Sequence, residues 1–330
     1  MVNRIVNQPL SAVRQTKLLT ADASGITDAA ALLRAGGLVA MPTETVYGLA
    51  ADATSGTAVA GIYAAKERPS FNPLISHLPD LASALRQGLF DANALALAQA
   101  FWPGPLTLVV PASPGCTVSE LARAGLATVA LRVPAHPVAH AVLEAARRPI
   151  AAPSANRSGR ISATSAAHAM ADLDGRIDAV LDAGPTEVGV ESTIVACLDG
   201  APRLLRPGGV PRSAIEHVIG RPLVLAGEAG HAPIAPGMLT SHYAPAAGVR
   251  LDADAPRDGE AWLGFGPGQE FAAALNLSPG GDLREAASNL FGYLRRLDAM
   301  GMRTIAVARI PEQGLGEAIN DRLRRAAAPR

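Results

Sequence analysis

Three polar loops hold most of the residues in this 330-residue chain whose types and spacing could do chemistry. Each follows a short apolar run that reads as a buried strand, and in open α/β sheets ligands favour the carboxyl ends of strands. The first loop, after residues 38–41, is Pro42-Thr43-Glu44-Thr45-Val46-Tyr47-Gly48-Leu49. Its hydroxyls and carboxylate suit a polar ligand, but a Thr with a nearby Glu also caps helices, and chemistry alone favours the cap. The second is Lys66-Glu67-Arg68-Pro69-Ser70-Phe71-Asn72-Pro73-Leu74, two cations and an amide bracketed by prolines. Cations on a stiff loop neutralise a triphosphate; equally, basic residues at a helix end complement its dipole. Of the 29 basic residues only Lys17 and Lys66 are lysines, which singles out position 66. The third loop is Pro153-Ser154-Ala155-Asn156-Arg157-Ser158-Gly159-Arg160-Ile161-Ser162. Its hydroxyls, amide and two arginines point to anion binding.

Single residues are less telling. Arg132 ends an apolar run, where a guanidinium suits a carboxylate. His77 reads as an ordinary core or surface histidine. Glu191-Ser192-Thr193 and Arg206-Pro207-Gly208-Gly209 border further strands and read individually as structural. His136 and His140 have zinc-compatible i, i+4 spacing without a third ligand, so a helix surface is expected. Arg322, Arg324 and Arg325 read as a solvated basic helix end.

Several classes are excluded. There is no G-x-x-x-x-G-K-[ST] loop, G-x-S-x-G or H-E-x-x-H, and Gly264-Phe265-Gly266-Pro267-Gly268 lacks the G-x-G-x-x-G spacing. Basic and acidic residues number 29 each, which argues against a surface built to grip nucleic acid. Two distant cysteines, Cys116 and Cys197, make neither a disulfide framework nor a zinc cluster. No apolar run approaches the roughly 18 residues that span a bilayer. The N-terminus has no apolar h-region, so a soluble cytoplasmic protein is expected.

The elements that must position these loops alternate between helix and strand. Helices are expected from a Thr27-Asp28 cap to Gly36, over 57–67 until Pro69 stops it, and over 91–101, 137–147 and 213–219. Strands are expected at 38–41, 74–78, 106–110, 127–133, 150–152, 179–182, 192–197 and 203–206. Residues from about 221 to 248 turn Gly/Pro/His-rich, which is linker composition. A second unit follows, with strands at 261–265 and 304–310 and helices at 282–301 and 316–327. Its first helix puts Leu283, Ala287, Leu290, Leu294 and Leu297 on one face. The fold class is α/β.

The loops in this order resemble the threonylcarbamoyl-AMP synthase family, whose catalytic unit is the YrdC-like domain. The motifs that carry the resemblance are PTETVYGLAADA, KERPSFNPLISHL, FWPGPLTLVV, TVALRVPAHP, PIAAPSANRSG, GVESTIVACLDG and LLRPGGV. APGMLTSHYAP with an α/β unit behind it is similar to the family's long form. The resemblance implies a YrdC-like twisted mixed sheet with flanking helices and an open central cleft in residues 1–220. It further implies a linker or lid at 221–248 and a small Rossmann-like α/β domain at 249–330.

The implied reaction joins L-threonine, bicarbonate and ATP into threonylcarbamoyl-AMP and releases pyrophosphate, with Mg²⁺. The product feeds the threonylcarbamoyladenosine modification of tRNA through a separate transferase. Carried over by position, the threonine pocket comprises Thr43, His77, Arg132, Ala152 and Ser192. The ATP site comprises Lys66, Asn72, Thr128, Ser154, Ser162, Arg206 and Tyr243, with Lys66 and Arg206 catalytic and no protein-held metal. Arg68 and Asn156 lie in the same loops. His242-Tyr243 is expected to fold over the cleft as a lid, against the alternative of a passive tether. The chain departs from the family pattern at Glu67, where Gly is common, at Ala163, where Pro often follows the serine, and at Leu239-Thr240-Ser241, which replaces a more basic run. Two rivals stay open: a carbamoyl-adenylate former related to hydrogenase-maturation proteins, and an RNA-binding module.

Overall fold

A computed structural model describes residues 15–69, 72–198, 200–225, 242–268, 271 and 273–329. Its first sheet is built around short, buried strands. β1 (Lys17–Thr20) and α1 (Ala23–Arg34) lead into β2 (Val39–Met41), β3 (Gly48–Asp52) and α2 (Gly56–Lys66). Then come β4 (Ile75–His77), α3 (Leu81–Gln87), α4 (Ala92–Phe101), β5 (Leu106–Pro111), β6 (Thr128–Arg132), α5 (Pro137–Ala146) and β7 (Ile150–Ala151). α6 (Ala166–Leu173), β8 (Ala179–Asp182), β9 (Thr193–Ala196), β10 (Arg203–Arg206), α7 (Arg212–Ile219) and β11 (Val224–Leu225) complete it. Eleven strands run in the order β1-β8-β2-β3-β7-β4-β6-β5-β9-β10-β11. The pairing is mixed: β4 lies parallel to β6 but antiparallel to β7, and β9 is antiparallel to β10.

Local chemistry explains most element ends. The Asp91 carboxylate accepts from Ala94 N and starts α4, and the chain turns extended at Trp102 before Pro103. Asp22, not Thr27-Asp28, caps α1, its carboxylate accepting from Gly25 N; Thr27 lies inside the helix and donates back to Ala23 O. α2 stops at Lys66 because Glu67 takes the left-handed conformation, φ 54°. Pro69 lies beyond the stop. A side chain in that region carries strain that glycine avoids, and here the Glu67 carboxylate meets Arg157 at 2.6 Å and Arg176 at 2.9 Å. His136 caps α5 through Nδ1, and His140 lies 3.6 Å from Glu144.

The second sheet is all parallel, order β12-β15-β13-β14, from β12 (Gly248–Ala253), β13 (Glu260–Gly264), β14 (Ala274–Asn276) and β15 (Thr304–Ala308). α8 (Leu283–Asp298) and α9 (Gly316–Ala327) pack on it. The expected face of α8 is the buried one, with Ala287, Leu290, Leu294 and Leu297 inaccessible to solvent. The apolar cluster they form also contains Val46, Ile161, Val190 and Tyr243. The two sheets therefore share one of their cores.

Candidate active site

The first and third loops are zipped together by the backbone. Tyr47 N donates to Ala163 O, Ala155 N to Tyr47 O and Leu49 N to Pro153 O, all at 2.7–2.8 Å. No helix follows Thr43, so the expected cap is replaced by a turn. Thr43 Oγ1 accepts from the Thr45 and Val46 amides and donates to Val46 O at 2.6 Å. This side-chain turn competes with helix formation.

The second loop joins them through Lys66. Its side chain is buried, and Nζ donates to the carbonyls of Ser154 and Asn156. Burial first, and the charge of Arg68 next, hold its pKa well below the usual lysine value. Arg68 reaches toward the carbonyls of Asn72 and Pro73 at 3.5 and 3.4 Å, and burial brings its pKa to about 10. Asn156 Nδ2 donates to Arg157 O and Arg160 O, closing the third loop on itself.

Strand register supplies the floor. His77 is the cross-strand partner of both Arg132 and Ile150. Arg132 Nη2 lies 2.8 Å from Glu44 Oε1, a buried ion pair. Burial alone would raise the Glu44 pKa, but Arg132 outweighs it and the carboxylate titrates below the usual range. His77 is driven the other way: burial, then the Arg132 charge, bring it to about 3, so the ring is neutral. At the far side, Arg206 Nη2 donates to Ser192 O at 2.9 Å, and the Ser192 and Thr107 hydroxyls are 2.7 Å apart. Tyr243 closes the space: its ring stacks on Phe291 with 5.5 Å between centroids and meets His242 edge-on at 4.1 Å.

These elements line a single narrow cleft. Of the residues expected from sequence, His77, Arg132, Ala152, Ser154, Ser192, Arg206 and Tyr243 line it. Thr43 stands directly behind its lining neighbours Thr45 and Val46, and Lys66 behind Ser154. Ser162 is buried and donates to the lining residue Glu191. Asn72 is buried with Oδ1 unpartnered. Thr128 begins β6, four positions before Arg132 and on the same strand face, and does not line the cleft. The sequence places Arg68 only in the same loop as Lys66, does not single out Glu44, and gives Glu191 only a structural role. It also places Arg322 in solvent, whereas Arg322 has no exposure and lies 2.9 Å from Glu191. Its neighbour Arg324 is the exposed member of the basic helix end. Leu239-Thr240-Ser241 lies outside the described residues.

The arrangement is cationic and buried. Arg68, Arg132 and Arg206 line one cleft with Lys66 behind, and Arg68 Nε, His77 Nδ1, His242 Nδ1 and Tyr243 Oη are buried without hydrogen-bond partners. Clustered buried cations and unused donors are costly, and an anionic, hydrogen-bonding ligand offsets that cost. A metal fits less well. Among the described residues no group of three or more His, Cys, Asp or Glu side chains is placed to hold one. Glu44 and Glu191 are each committed to an arginine.

Known proteins match the chain over most of its length. Residues 31–208 match the family model described as "Telomere recombination", and residues 210–328 match "Threonylcarbamoyl-AMP synthase, C-terminal domain". The threonylcarbamoyl-AMP synthase of Bacillus subtilis is 43% identical over 325 residues, covering 92% of this chain and 93% of that one. The Pyrococcus abyssi enzyme is 42% identical over 323 residues, covering 92% and 94%. A crystal structure of P. abyssi Sua5 complexed with L-threonine aligns with a TM-score of 0.88 at 40% identity, covering 94% of this chain and 98% of that one. With family models matched over both residues 31–208 and residues 210–328, and relatives of this identity aligned nearly end to end, the chain belongs to the threonylcarbamoyl-AMP synthase family.

Proposed function

We propose that this cleft condenses L-threonine, bicarbonate and ATP into threonylcarbamoyl-AMP, an adenylyl transfer that releases pyrophosphate. The observation that carries the reading is the placing of two anion-ready corners in one buried cleft. Arg132 with neutral His77 forms one, and Arg68 with Arg206 and Lys66 forms the other. L-threonine, the ligand of the P. abyssi structure, takes the first corner. Arg132, oriented by Glu44, receives its carboxylate, while Thr43, His77, Ala152 and Ser192 surround the rest. ATP takes the second, against Ser154, Arg206 and Tyr243 of the cleft wall, with Lys66 and Ser162 behind that wall; Asn72 and Thr128 are assigned to this side by the resemblance alone. A pocket that hydrogen-bonds a substrate hydroxyl rejects analogues lacking it by up to about 10⁴–10⁵.

The unprotonated threonine amine attacks bicarbonate, and loss of water leaves the carbamate. A carbamate oxygen then attacks the α-phosphorus, and the bond to the β-phosphate oxygen breaks as pyrophosphate leaves. No protein nucleophile is required. Lys66 and Arg206 supply charge at the phosphates, and catalysis is positioning plus electrostatic stabilisation. Mg²⁺ arrives with the nucleotide, as part of the substrate MgATP. His242 and Tyr243 wall off water from the labile acyl phosphate.

We divide the chain into a catalytic unit at 1–220, a connecting segment at 221–248 and a C-terminal unit at 249–330. The first sheet runs on to β11 at Val224–Leu225, and residues 226–241 lie outside the described residues. We place the enzyme in the cytoplasm, handing its product to a separate transferase for tRNA modification. No helix among the described residues is long and apolar enough to cross a membrane.

The test is pyrophosphate release from ATP and Mg²⁺ with L-threonine and bicarbonate omitted in turn. Release that needs both is expected. Release that needs neither, or no release at all, overturns the reading in favour of carbamoyl-adenylate or RNA chemistry.

A further inference from the structure

Arg322 belongs to α9, the last helix of the C-terminal unit, yet its guanidinium is buried against the catalytic unit. Nε donates to Glu191 Oε2 at 2.9 Å and Nη1 to the Pro207 carbonyl at 2.6 Å. Its Cζ lies 5.5 Å from the centre of the Tyr243 ring. Glu191 carries the contact onward, because its other oxygen accepts from Ser162 Oγ. Glu191, Tyr243 and Arg206, the residue before Pro207, all line the cleft. One side chain thus touches three segments of the nucleotide side.

We propose that Arg322 is a positioning residue through which the C-terminal unit completes the ATP side of the cleft, by pairing with Glu191, seating Tyr243 and fixing the chain after Arg206. The proposal rests on the reading of this side as the ATP site. Its physical core is the sign of Glu191. A buried carboxylate beside incoming phosphates repels them unless a cation compensates it. The charged and titratable groups facing Glu191 are Arg322 on α9, Arg206 at the end of β10 and Tyr243 before β12, with the Ser162 hydroxyl bonded to it; Asp321 on α9 accepts from Arg322 Nη1 at 2.9 Å. Arg322 is the larger of the two cationic contributions, and Arg206 is already committed to the Ser192 carbonyl. The fork shape matters as much as the charge, since Nε and Nη1 serve different partners at once.

The experiment uses full-length Arg322→Met, Arg322→Lys and the double variant Glu191→Gln/Arg322→Met, varying ATP and L-threonine separately between about pH 7 and 9. Arg322→Met is expected to raise KM for ATP about tenfold or more while KM for L-threonine stays within about twofold. Relative to wild type, the ATP defect grows with pH as the uncompensated Glu191 ionises. The double variant, with no carboxylate to ionise, loses that pH dependence. Arg322→Lys falls between, because it keeps the charge and loses the fork. Equal changes in both KM values, an unchanged KM for ATP, or a pH dependence that survives removal of Glu191 overturns the proposal. If Arg322→Met does not fold, Arg322→Lys must show the same split between substrates at smaller size, and an even change overturns it. Wild-type protein that releases no pyrophosphate defeats the functional reading itself, whereas active wild type with an unaltered Arg322→Met defeats only this inference.

Discussion

His77 shows how much one buried residue decides. Burial and Arg132 hold its pKa at about 3, against an ordinary 6.5. Between those values the unfolded chain binds a proton that the folded chain refuses, so stability falls as pH drops below 6.5. The slope is about 1.4 kcal/mol per pH unit for one such group. His168, brought to about 4 by burial and then by Arg295, acts with the same sign. Native-state carboxylates such as Glu44 and Glu191 have lowered pKa values and add their own loss only below about 4.5. Urea midpoints of wild type and His77→Gln between about pH 6.5 and 4.5 separate the contributions. The variant is expected to lose about 1.4 kcal/mol less per unit than wild type; parallel curves would put the proton elsewhere. Arg132 was legible as a carboxylate partner because it ends an apolar run, whereas Arg206 alone read as structural and entered the candidate site only through the resemblance. Glu44 and Arg322 were not legible, since their meaning lies in partners 88 and 131 positions away, Arg132 and Glu191.

Elements were legible where residues with a backbone mechanism mark their ends. Asp91 and Trp102-Pro103 bound α4, and α9 runs over the residues its periodicity indicates. β3 was missed because Gly-Leu-Ala-Ala-Asp has no β-branched residue; it is a strand because β2 and β7 pair with it on both sides. β1, α3, α6, β11, β12 and β14 were missed likewise, being short or lacking a distinct apolar period. The turn after β10 is the element most sensitive to a single atom. A Cβ on Gly208 would lie 2.4 Å from Glu191 O, Ser192 C and Thr193 N, all backbone. Gly209 N is bonded to that Glu191 carbonyl at 3.0 Å, so the two strands have no room to part without moving Arg206 and Ser192. Gly208→Ala is therefore expected to cost about 1–3 kcal/mol in stability, an overpacking penalty, and to lower kcat/KM through the displaced Arg206. Gly56→Ala, where a Cβ meets nothing within 4 Å, is the matched control. Thermal unfolding and synthesis rates of the two should diverge, and equal behaviour would show that the turn has slack.

At the scale of the whole molecule, the sequence suggests two units on a Gly/Pro-rich string, and the structure gives them a common interior. Val46, Ile161 and Val190 from the catalytic side pack in one apolar cluster with Leu290, Phe291 and Leu294 of α8. Polar contacts reinforce it: Arg295 on α8 meets Asp172 at 2.6 Å and also donates to the Ile161 carbonyl, and Arg322 meets Glu191. Gly189, at φ 75°, lets the catalytic chain run against α8 so closely that a Cβ would lie 2.3 Å from Ala287 O. An interface that buries apolar side chains and charges together loses both if one side opens, so the two units are expected to unfold in one transition. The tryptophans report on this without any added label. Trp102 sits at the end of α4 against the first core, and Trp262 is fully buried in the second sheet. In Trp102→Phe the remaining indole reads only the C-terminal unit, whereas far-UV ellipticity reads every helix in the chain. Urea titrations of that variant should give one midpoint by both probes. If the Trp262 signal moved first, the C-terminal unit would be releasing while the catalytic sheet stood. Arg322 would then leave Glu191 before the cleft itself unfolded, and synthesis should track the Trp262 midpoint, not the ellipticity.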